Sequence, residues 1–344
     1  MSTLGVETVA ELTTTGWDGP PPALSALVPT YNRSGFLPDL IRALEAQDLP
    51  REEFEVVVID NGSTDDTWAA LSGLAAAASL RLRVARIEPN RGPAVARNTA
   101  AALSRGGVLA FTDDDCLPTA LWLPAIARVM REGADVVQGR TLPEPGGSRS
   151  AGPWDRSMWI TAETPLFETC NLAFRRTAFV EAGGFAAAWR EPGGEARPFG
   201  EDVELGWRLL GDGARRTFAA GALVYHRVLP GTWPQWLREQ RRLALFPGLA
   251  RRVPAIRRHL RLGLFLSDRT ALFDLAVAGA GVALALRRPW LLAATLPWLR
   301  QRWRETGHKP GRPRPVRLAQ LAVGDAVGLV SLLEGSARQR RLIL

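Results

Sequence analysis

Gly107-Val108-Leu109-Ala110-Phe111-Thr112-Asp113-Asp114-Asp115-Cys116-Leu117-Pro118 is the stretch on which the fold turns. Its first half is a short apolar run opened by glycine, which predicts a buried strand. Three consecutive carboxylates follow where that strand ends. Two unit charges about 5 Å apart repel by roughly 3 kcal/mol at an effective dielectric near 20. Such a cluster needs a cation, or full exposure on a turn. In an open α/β sheet ligands bind beyond the carboxyl ends of the strands. Both readings therefore stand until the neighbouring segments are read.

Towards the N-terminus the same arrangement recurs. Ala23 to Val28 is apolar and ends at Pro29, which predicts a first strand, followed by the turn Thr30-Tyr31-Asn32-Arg33-Ser34. Phe36, Leu37, Leu40, Ile41 and Leu44 then recur at helical spacing. Phe54 to Ile59 is a second strand and ends in Asp60-Asn61-Gly62-Ser63-Thr64-Asp65, a mixture of turn residues and helix caps. An Ala-rich helix over Trp68 to Leu80 and a third strand over Leu82 to Ile87 precede Asn90-Arg91-Gly92-Pro93, where a proline in the first turn opens another helix. This alternation predicts a mostly parallel sheet with helices on both faces. Each strand delivers a polar turn to the same edge.

Towards the C-terminus, Trp122 to Arg131 reads as a helix and Ala134 to Gln138 as a fifth strand. Residues 143–153 and 191–200 are Gly/Pro-rich loops. Glu201-Asp202-Val203-Glu204-Leu205 starts a helix with acids in its first turn, where they also suit the helix dipole. Leu223-Val224-Tyr225-His226 is a strand ending in a histidine. Beyond about residue 230 the character changes. Trp233 to Leu245 is basic and amphipathic. Ala271 to Leu286, Trp290 to Leu299 and Leu318 to Leu333 are apolar runs, interrupted by Asp274 and Asp325 and flanked by arginines. Each is shorter than the roughly 20 residues of a spanning helix. Three readings stand for them: helices lying in a membrane interface, which the flanking arginines favour, a plain helical subdomain, or a spanning hairpin over 271–299.

Bulk properties set the outer limits. The 344 residues hold 46% hydrophobic and 23% charged positions, values of a folded chain. Net charge is +8, carried almost wholly by arginine, with Lys309 the single lysine. Such a surface favours anionic partners. No RNA-binding or zinc motif points to nucleic acid. Cys116 and Cys170 form no CxxC pair, which excludes a zinc-ribbon or disulfide framework. Residues 1–22 lack the pattern of a signal peptide and read as a flexible leader.

Taken in order, Val28-Pro29-Thr30-Tyr31-Asn32-Arg33, Asp60 to Asp65, Asn90-Arg91-Gly92 with Ala96-Arg97-Asn98, Asp113-Asp114-Asp115, Cys170-Asn171-Leu172-Ala173-Phe174-Arg175 and Gly200 to Leu205 resemble the family 2 glycosyltransferases. The resemblance covers roughly residues 23–230. It implies the GT-A fold and an inverting transfer of sugar from a nucleoside-diphosphate sugar to an acceptor hydroxyl. It implies that Pro29, Tyr31 and Asp60 hold the base, and that Arg33, Arg97 and Asp113 approach the ribose or phosphates. Asp115 and Asp113 would bind Mn²⁺ or Mg²⁺, hard ions suited to oxygen ligands, with His226 completing the shell. Asp202, with Glu201 as substitute, would be the general base. Asn171, Asp114 and Trp207 would face the sugar or acceptor, and Asp114 is the aspartate expected to tolerate change. The Gln-x-x-Arg-Trp motif of processive relatives is incomplete at Gln235-Trp236-Leu237-Arg238, which favours single transfer.

The expected organisation is a leader over 1–22, a GT-A domain over 23–230 with donor half 23–118 and acceptor half 119–230, and a basic, hydrophobic helical region over 231–344. The acceptor is expected to be a carbohydrate or a lipid-linked carbohydrate of the cell envelope. The protein is expected in the cytoplasm at the inner face of the membrane, touching it peripherally through the C-terminal region. Two rivals remain: a degenerate sugar-nucleotide-binding module, and a haloacid-dehalogenase-type phosphatase. Leu117 stands where the latter wants Thr or Val, and its catalytic lysine has no counterpart outside the tail.

Overall fold

The computed structural model describes residues 7–14, 17–147, 152–186, 189–190, 196–197, 199–307 and 313–344. Positions 148–151 of the first expected loop, and 191–195 and 198 of the second, lie outside the described residues. Contacts divide the chain into two units: residues 1–148 with 157–227, and residues 149–156 with 228–344.

The first unit is built on a nine-stranded sheet. Its strands are β1 (Ala10–Thr13), β2 (Leu24–Thr30), β3 (Phe54–Asp60), β4 (Leu82–Arg86), β5 (Val108–Thr112), β6 (Cys116–Pro118), β7 (Val136–Pro143), β8 (Asn171–Arg175) and β9 (Arg216–His226). The spatial order is β1-β4-β3-β2-β5-β8-β7-β9-β6. β4, β3, β2 and β5 run parallel, as do β7 and β9, whereas β1, β8 and β6 pair antiparallel with their neighbours. The helices between the parallel strands are α1 (Leu37–Glu45), α2 (Thr67–Ala77) and α3 (Pro93–Leu103), followed by α4 (Trp122–Arg131), α5 (Arg176–Glu181) and α6 (Glu201–Gly211).

The continuous apolar runs of β2 and β3 follow from burial on both faces. Val56 and Val58 pack with Leu40, Leu44 and Leu71 on one side. Val57 and Ile59 pack on the other with α3 and a cluster of Phe111, Phe174, Phe179 and Phe185. Phe111 meets Phe185 edge-on at 5.2 Å. The chain steps from β2 outward to β4, then returns to place β5 on the other side of β2. β2 and β5 stop pairing at Leu27 and Phe111. Their next residues therefore separate, and the gap at this reversal of strand order is where an open α/β sheet binds its ligand. Pro29 fits this place in a central strand, because the β5 ladder has already ended.

The leader differs from its expectation. Ala10–Thr13 pairs antiparallel with β4, Ala10 opposite Arg86, and Trp17 is buried beneath the Arg83 and Arg105 guanidinium groups, 4.2 and 4.6 Å from its ring. An edge strand holds on by its backbone, so small and polar side chains do not disclose it.

The second unit is helical: α7 (Trp233–Arg241), α8 (Phe246–Arg252), α9 (Asp268–Ala285), α10 (Leu296–Thr306) and α11 (Arg314–Gln339), joined by 3₁₀ turns. Thr232 and Gln235 form a capping box on α7. On α11, Asp325 accepts from Arg302 Nε at 2.8 Å and from Trp298 Nε1 at 2.9 Å, so the charge that interrupts this apolar run is paired inside the unit. Gly335 leaves room for the Ala244 carbonyl, which any Cβ would strike. Among the described residues α11 alone is long and apolar enough to cross a membrane.

Candidate active site

The gap between β2 and β5 opens into a cleft of about 330 Å³. Pro29, Tyr31, Arg33, Arg97, Asp113, Asp114, Asp115 and His226, all singled out in the sequence, line it. Thr30, Asn61, Asn90 and Pro93 join them. These four sit inside the quoted turns, and their polar character alone did not separate them from ordinary turn residues.

Two turns form one wall. Asn32 takes a left-handed conformation, its N–H donates to Ser63 Oγ at 2.9 Å, and its Oδ1 accepts from Thr64 N at 2.8 Å. The Arg33 N–H donates to Thr67 Oγ1 at 2.9 Å. The turn after β2 is thereby stitched to the turn after β3. Asp60 lies fully buried at the end of β3. Its Oδ1 accepts from Ser63 N at 2.9 Å, while Oδ2 has no hydrogen bond and lies 3.6 Å from Arg86 Nη1. A buried carboxylate oxygen without a donor costs free energy. Here the ion pair with Arg86 offsets part of that cost, and Asp60 is not among the residues that line the cleft.

The three aspartates separate by environment. Asp113 accepts from Arg97 Nη2 at 2.8 Å. Asp114 turns inward and accepts from Thr30 Oγ1 at 2.7 Å. Burial pushes its carboxyl up to about 7, against the Thr30 bond and with help from Asp115 and Asp113. Asp114 thus both lines the cleft and crosslinks the turn to β2, a buried bond that the expectation of a tolerant position did not include. Asp115 is also raised by burial, with His226 and Arg33 pulling the other way. Its oxygens lie 3.5 Å from His226 Nε2 and 4.0 Å from Arg33 Nη2.

His226 reaches this point because β9 pairs with β6 in a register that sets His226 opposite Cys116. Its Nδ1 hydrogen bonds to the Arg227 carbonyl at 2.8 Å. A carbonyl only accepts, so Nδ1 carries a proton, and the ring is held with Nε2 directed at Asp115. Donor atoms of Asp115, Cys116 and His226 lie within 4.8 Å of one another. Burial and the neighbouring Cys170 raise the Cys116 thiol well above its ordinary range, so it remains a thiol. The donor set is therefore oxygen and imidazole, which suits a hard divalent ion.

Arg97 joins this end of the cleft to α6. Only 7% exposed, its Nη1 lies 3.7 Å from Glu201 while Nη2 holds Asp113. Its guanidinium is thus engaged by two acids while it still lines the cleft. Burial, then repulsion from Glu201, lift the Asp202 carboxyl to about 7, with Arg97 opposing. Poised there, Asp202 exchanges a proton near neutral pH.

Two expected sugar contacts belong to the framework. Asn171 is 1% exposed. Its Oδ1 accepts from Trp122 Nε1 at 2.9 Å, and its Nδ2 donates to the Arg140 and Ala222 carbonyls, each at 2.8 Å. Gly139 lacks the side chain that would displace this amide. Asn171 crosslinks α4, β7 and β9 with no amide group left for a sugar. The Trp207 indole donates to the Pro165 carbonyl at 3.0 Å and stands edge-on to Phe167, packing α6 onto the adjoining loop.

Residues 25–193 match the family model described as glycosyl transferase family 2. Over these residues the chain is a family 2 glycosyltransferase. Among its relatives is glycosyltransferase AglE of Haloferax volcanii, 27% identical over 216 residues, which span 61% of this chain and 68% of that protein. Poly(ribitol-phosphate) beta-N-acetylglucosaminyltransferase TarS of Staphylococcus aureus is 35% identical over 129 residues, 35% of this chain but 22% of the relative. Validoxylamine A glucosyltransferase of Streptomyces hygroscopicus is 29% identical over 57% of this chain and 53% of the relative. The chain thus spans only part of these relatives. Among solved structures, mannosyltransferase PcManGT from Pyrobaculum calidifontis, in complex with GDP-Man and Mn²⁺, gives a TM-score of 0.57 at 21% identity over 92% of this chain and 88% of that one. S. aureus TarS 1–349 with UDP gives 0.50 at 21% identity, covering 92% of each chain. These establish the same fold. With the family assigned, the phosphatase reading falls away.

Proposed function

We propose that this glycosyltransferase transfers a sugar from a nucleoside-diphosphate sugar to an acceptor hydroxyl with inversion, and that it depends on Mn²⁺ or Mg²⁺. The observation that carries the proposal is an oxygen–imidazole donor set at Asp115 and His226 in one cleft, whose lining Arg97 also pairs with Glu201 of α6, next to the Asp202 carboxyl poised near neutrality. The unsatisfied Oδ2 of Asp60 accepts a ring N–H of the base, between Pro29 and Tyr31. Arg33 approaches the ribose or diphosphate. Asp115 and His226, with Asp113 beside them, hold the cation, which offsets charge on the departing nucleotide. Asp202 takes the proton of the acceptor hydroxyl, and Arg97 holds the acids of α6 and Asp113 in place. Donor binding belongs to residues 23–118 and the acceptor to 119–230. That similarly folded PcManGT holds GDP-Man and Mn²⁺, and TarS holds UDP, supports this reading.

The acceptor is a carbohydrate or lipid-linked carbohydrate, in synthesis of cell-envelope glycans or glycolipids. The enzyme works in the cytoplasm at the inner face of the membrane, touching it peripherally through the C-terminal helices. Incubation with UDP-, GDP- and dTDP-sugars, with Mn²⁺ or with EDTA, tests the core of the proposal. One nucleotide should stabilise the protein, by about 2.7 kcal/mol at a hundredfold excess over Kd, and release of its diphosphate should require metal. Absence of both effects with every donor would sink the proposal.

A further inference from the structure

The peripheral membrane contact just proposed is deepened by one face of the second unit. From Leu275 to Ala285 α9 carries no charged or polar side chain, and only Ala276 and Ala283 of the helix are buried. Leu275, Val282 and Leu284 are 51%, 47% and 83% exposed, and beyond the helix Leu286, Trp290 and Leu296 are 62%, 69% and 59% exposed. A helix that packs in a core would hide such residues, and one bathed in water would carry charge on its outer side. Contiguous exposed apolar surface of this kind marks an interaction site.

The charges decide what covers it. From residue 275 to 304 the sequence contains no acid, and every charge is an arginine. Arg287, Arg288 and Arg300 are exposed, whereas Arg302 turns inward to Asp325. A two-fold dimer through this face would set the arginines of one copy against those of the other. Lipid phosphates would instead pair with them. Beside the face runs an open groove of about 870 Å³, whose walls include Leu296, Leu299, Trp303 and Leu318 together with Arg300 and Arg304. Apolar walls with guanidinium groups suit an acyl chain and its phosphate, and exposed tryptophan belongs at the boundary between headgroups and chains.

We infer that the face spanning residues 275–304 docks on a bilayer of anionic phospholipid. Leu284, Leu286, Trp290 and Leu296 enter the acyl boundary, and Arg287, Arg288 and Arg300 lie on lipid phosphates.

Flotation of the full chain with vesicles tests this, using phosphatidylcholine alone or with about a third phosphatidylglycerol. Binding should be at least about tenfold tighter to the anionic vesicles and should weaken in high salt. R287Q/R288Q should weaken it roughly 25-fold, at about fivefold per arginine. L284S/W290S should abolish it, and both variants should keep wild-type release of nucleoside diphosphate from a soluble donor. Equal binding to neutral and anionic vesicles would overturn the lipid class while leaving membrane contact standing. Flotation with neither would overturn both, and a dimer lost in L284S/W290S would assign the face to a second copy. Donor turnover is read separately, so these failures are distinct from failure of the transferase mechanism.

Discussion

Asp202 offers the sharpest perturbation. Its carboxyl sits at about 7 against an ordinary 3.8, principally through burial, then through Glu201, with Arg97 in opposition. A shift of about three units corresponds to about 4 kcal/mol between its two protonation states. At pH 6 about one molecule in ten carries the ionised base, and at pH 8 about nine in ten. kcat/KM for transfer should therefore fall about tenfold per pH unit below 7 and level off above 8. Asp202→Asn should lower kcat by about 10²–10⁴-fold, leaving the Kd for nucleotide within about twofold. The stability effect has the opposite sign. The native carboxyl keeps its proton up to about pH 7, whereas the unfolded one loses it near 3.8. The native state thus binds more protons between these values, and stability falls as pH rises through the window. Asp202→Asn removes that loss, so the variant should be more stable than the parent at pH 8 by up to a few kcal/mol. Release of nucleoside diphosphate against pH, paired with urea unfolding at pH 5.5 and pH 8, measures both. An active Asp202→Asn enzyme, or a flat profile through pH 7, would refute the assignment. A variant less stable than the parent at pH 8 would refute the electrostatics.

Arg97→Met leaves Asp113, Glu201 and Asp202 without their shared cation, which should cost about 3–5 kcal/mol, or very roughly 10 °C in Tm by thermal scan. The acidic limb of the rate profile should also move to higher pH, and Arg97→Lys should recover part of it; Tm loss with an unmoved limb would make Arg97 a framework residue only. Asp115→Asn and His226→Ala should each raise the Mn²⁺ concentration needed for half-maximal activity by about tenfold or more, read by metal titration. Asn171→Ala leaves an indole N–H and two carbonyls unpaired, for a loss of about 3 kcal/mol or more in denaturant unfolding; acceptor KM should not change in the folded fraction.

The parallel half of the sheet is legible in the sequence because its strands are buried on both faces. Continuous apolar runs such as Phe54–Ile59 then have one sensible reading, and each polar turn marks a strand end. β1 is not legible, since Ala10–Thr13 joins the edge by its backbone ladder and one ion pair, Glu11 with Arg83, rather than by an apolar pattern. Within the site, what the structure brings together was legible where chemistry and a strand end coincide. His226 ends a strand, and antiparallel pairing with β6 carries it to Asp115. The buried partners of Asp114 and Asn171 were not legible, for one shared reason. Polarity says that a side chain needs a partner, but not whether the partner is ligand or protein. Asp114 finds Thr30, 84 positions away, and Asn171 finds Trp122, 49 positions away.

Arg97 shows the same limit in the other direction. A lone arginine in a turn-and-helix motif suggests a phosphate ligand, and its motif holds no sign of the acids it will meet. In the fold it stands between the aspartates after β5 and the acids that open α6, 3.7 Å from Glu201 and 2.8 Å from Asp113. A single guanidinium therefore sets the electrostatics of two parts of the cleft at once. It lowers the Asp202 carboxyl that burial raises, and it also satisfies Asp113. Any cation drawn to the aspartates competes for Asp113 with this arginine and changes the field felt at Asp202. The aspartates of the cleft and the acids that open α6 are coupled through one buried side chain, and that coupling exists only once α3, β5 and α6 have been brought together.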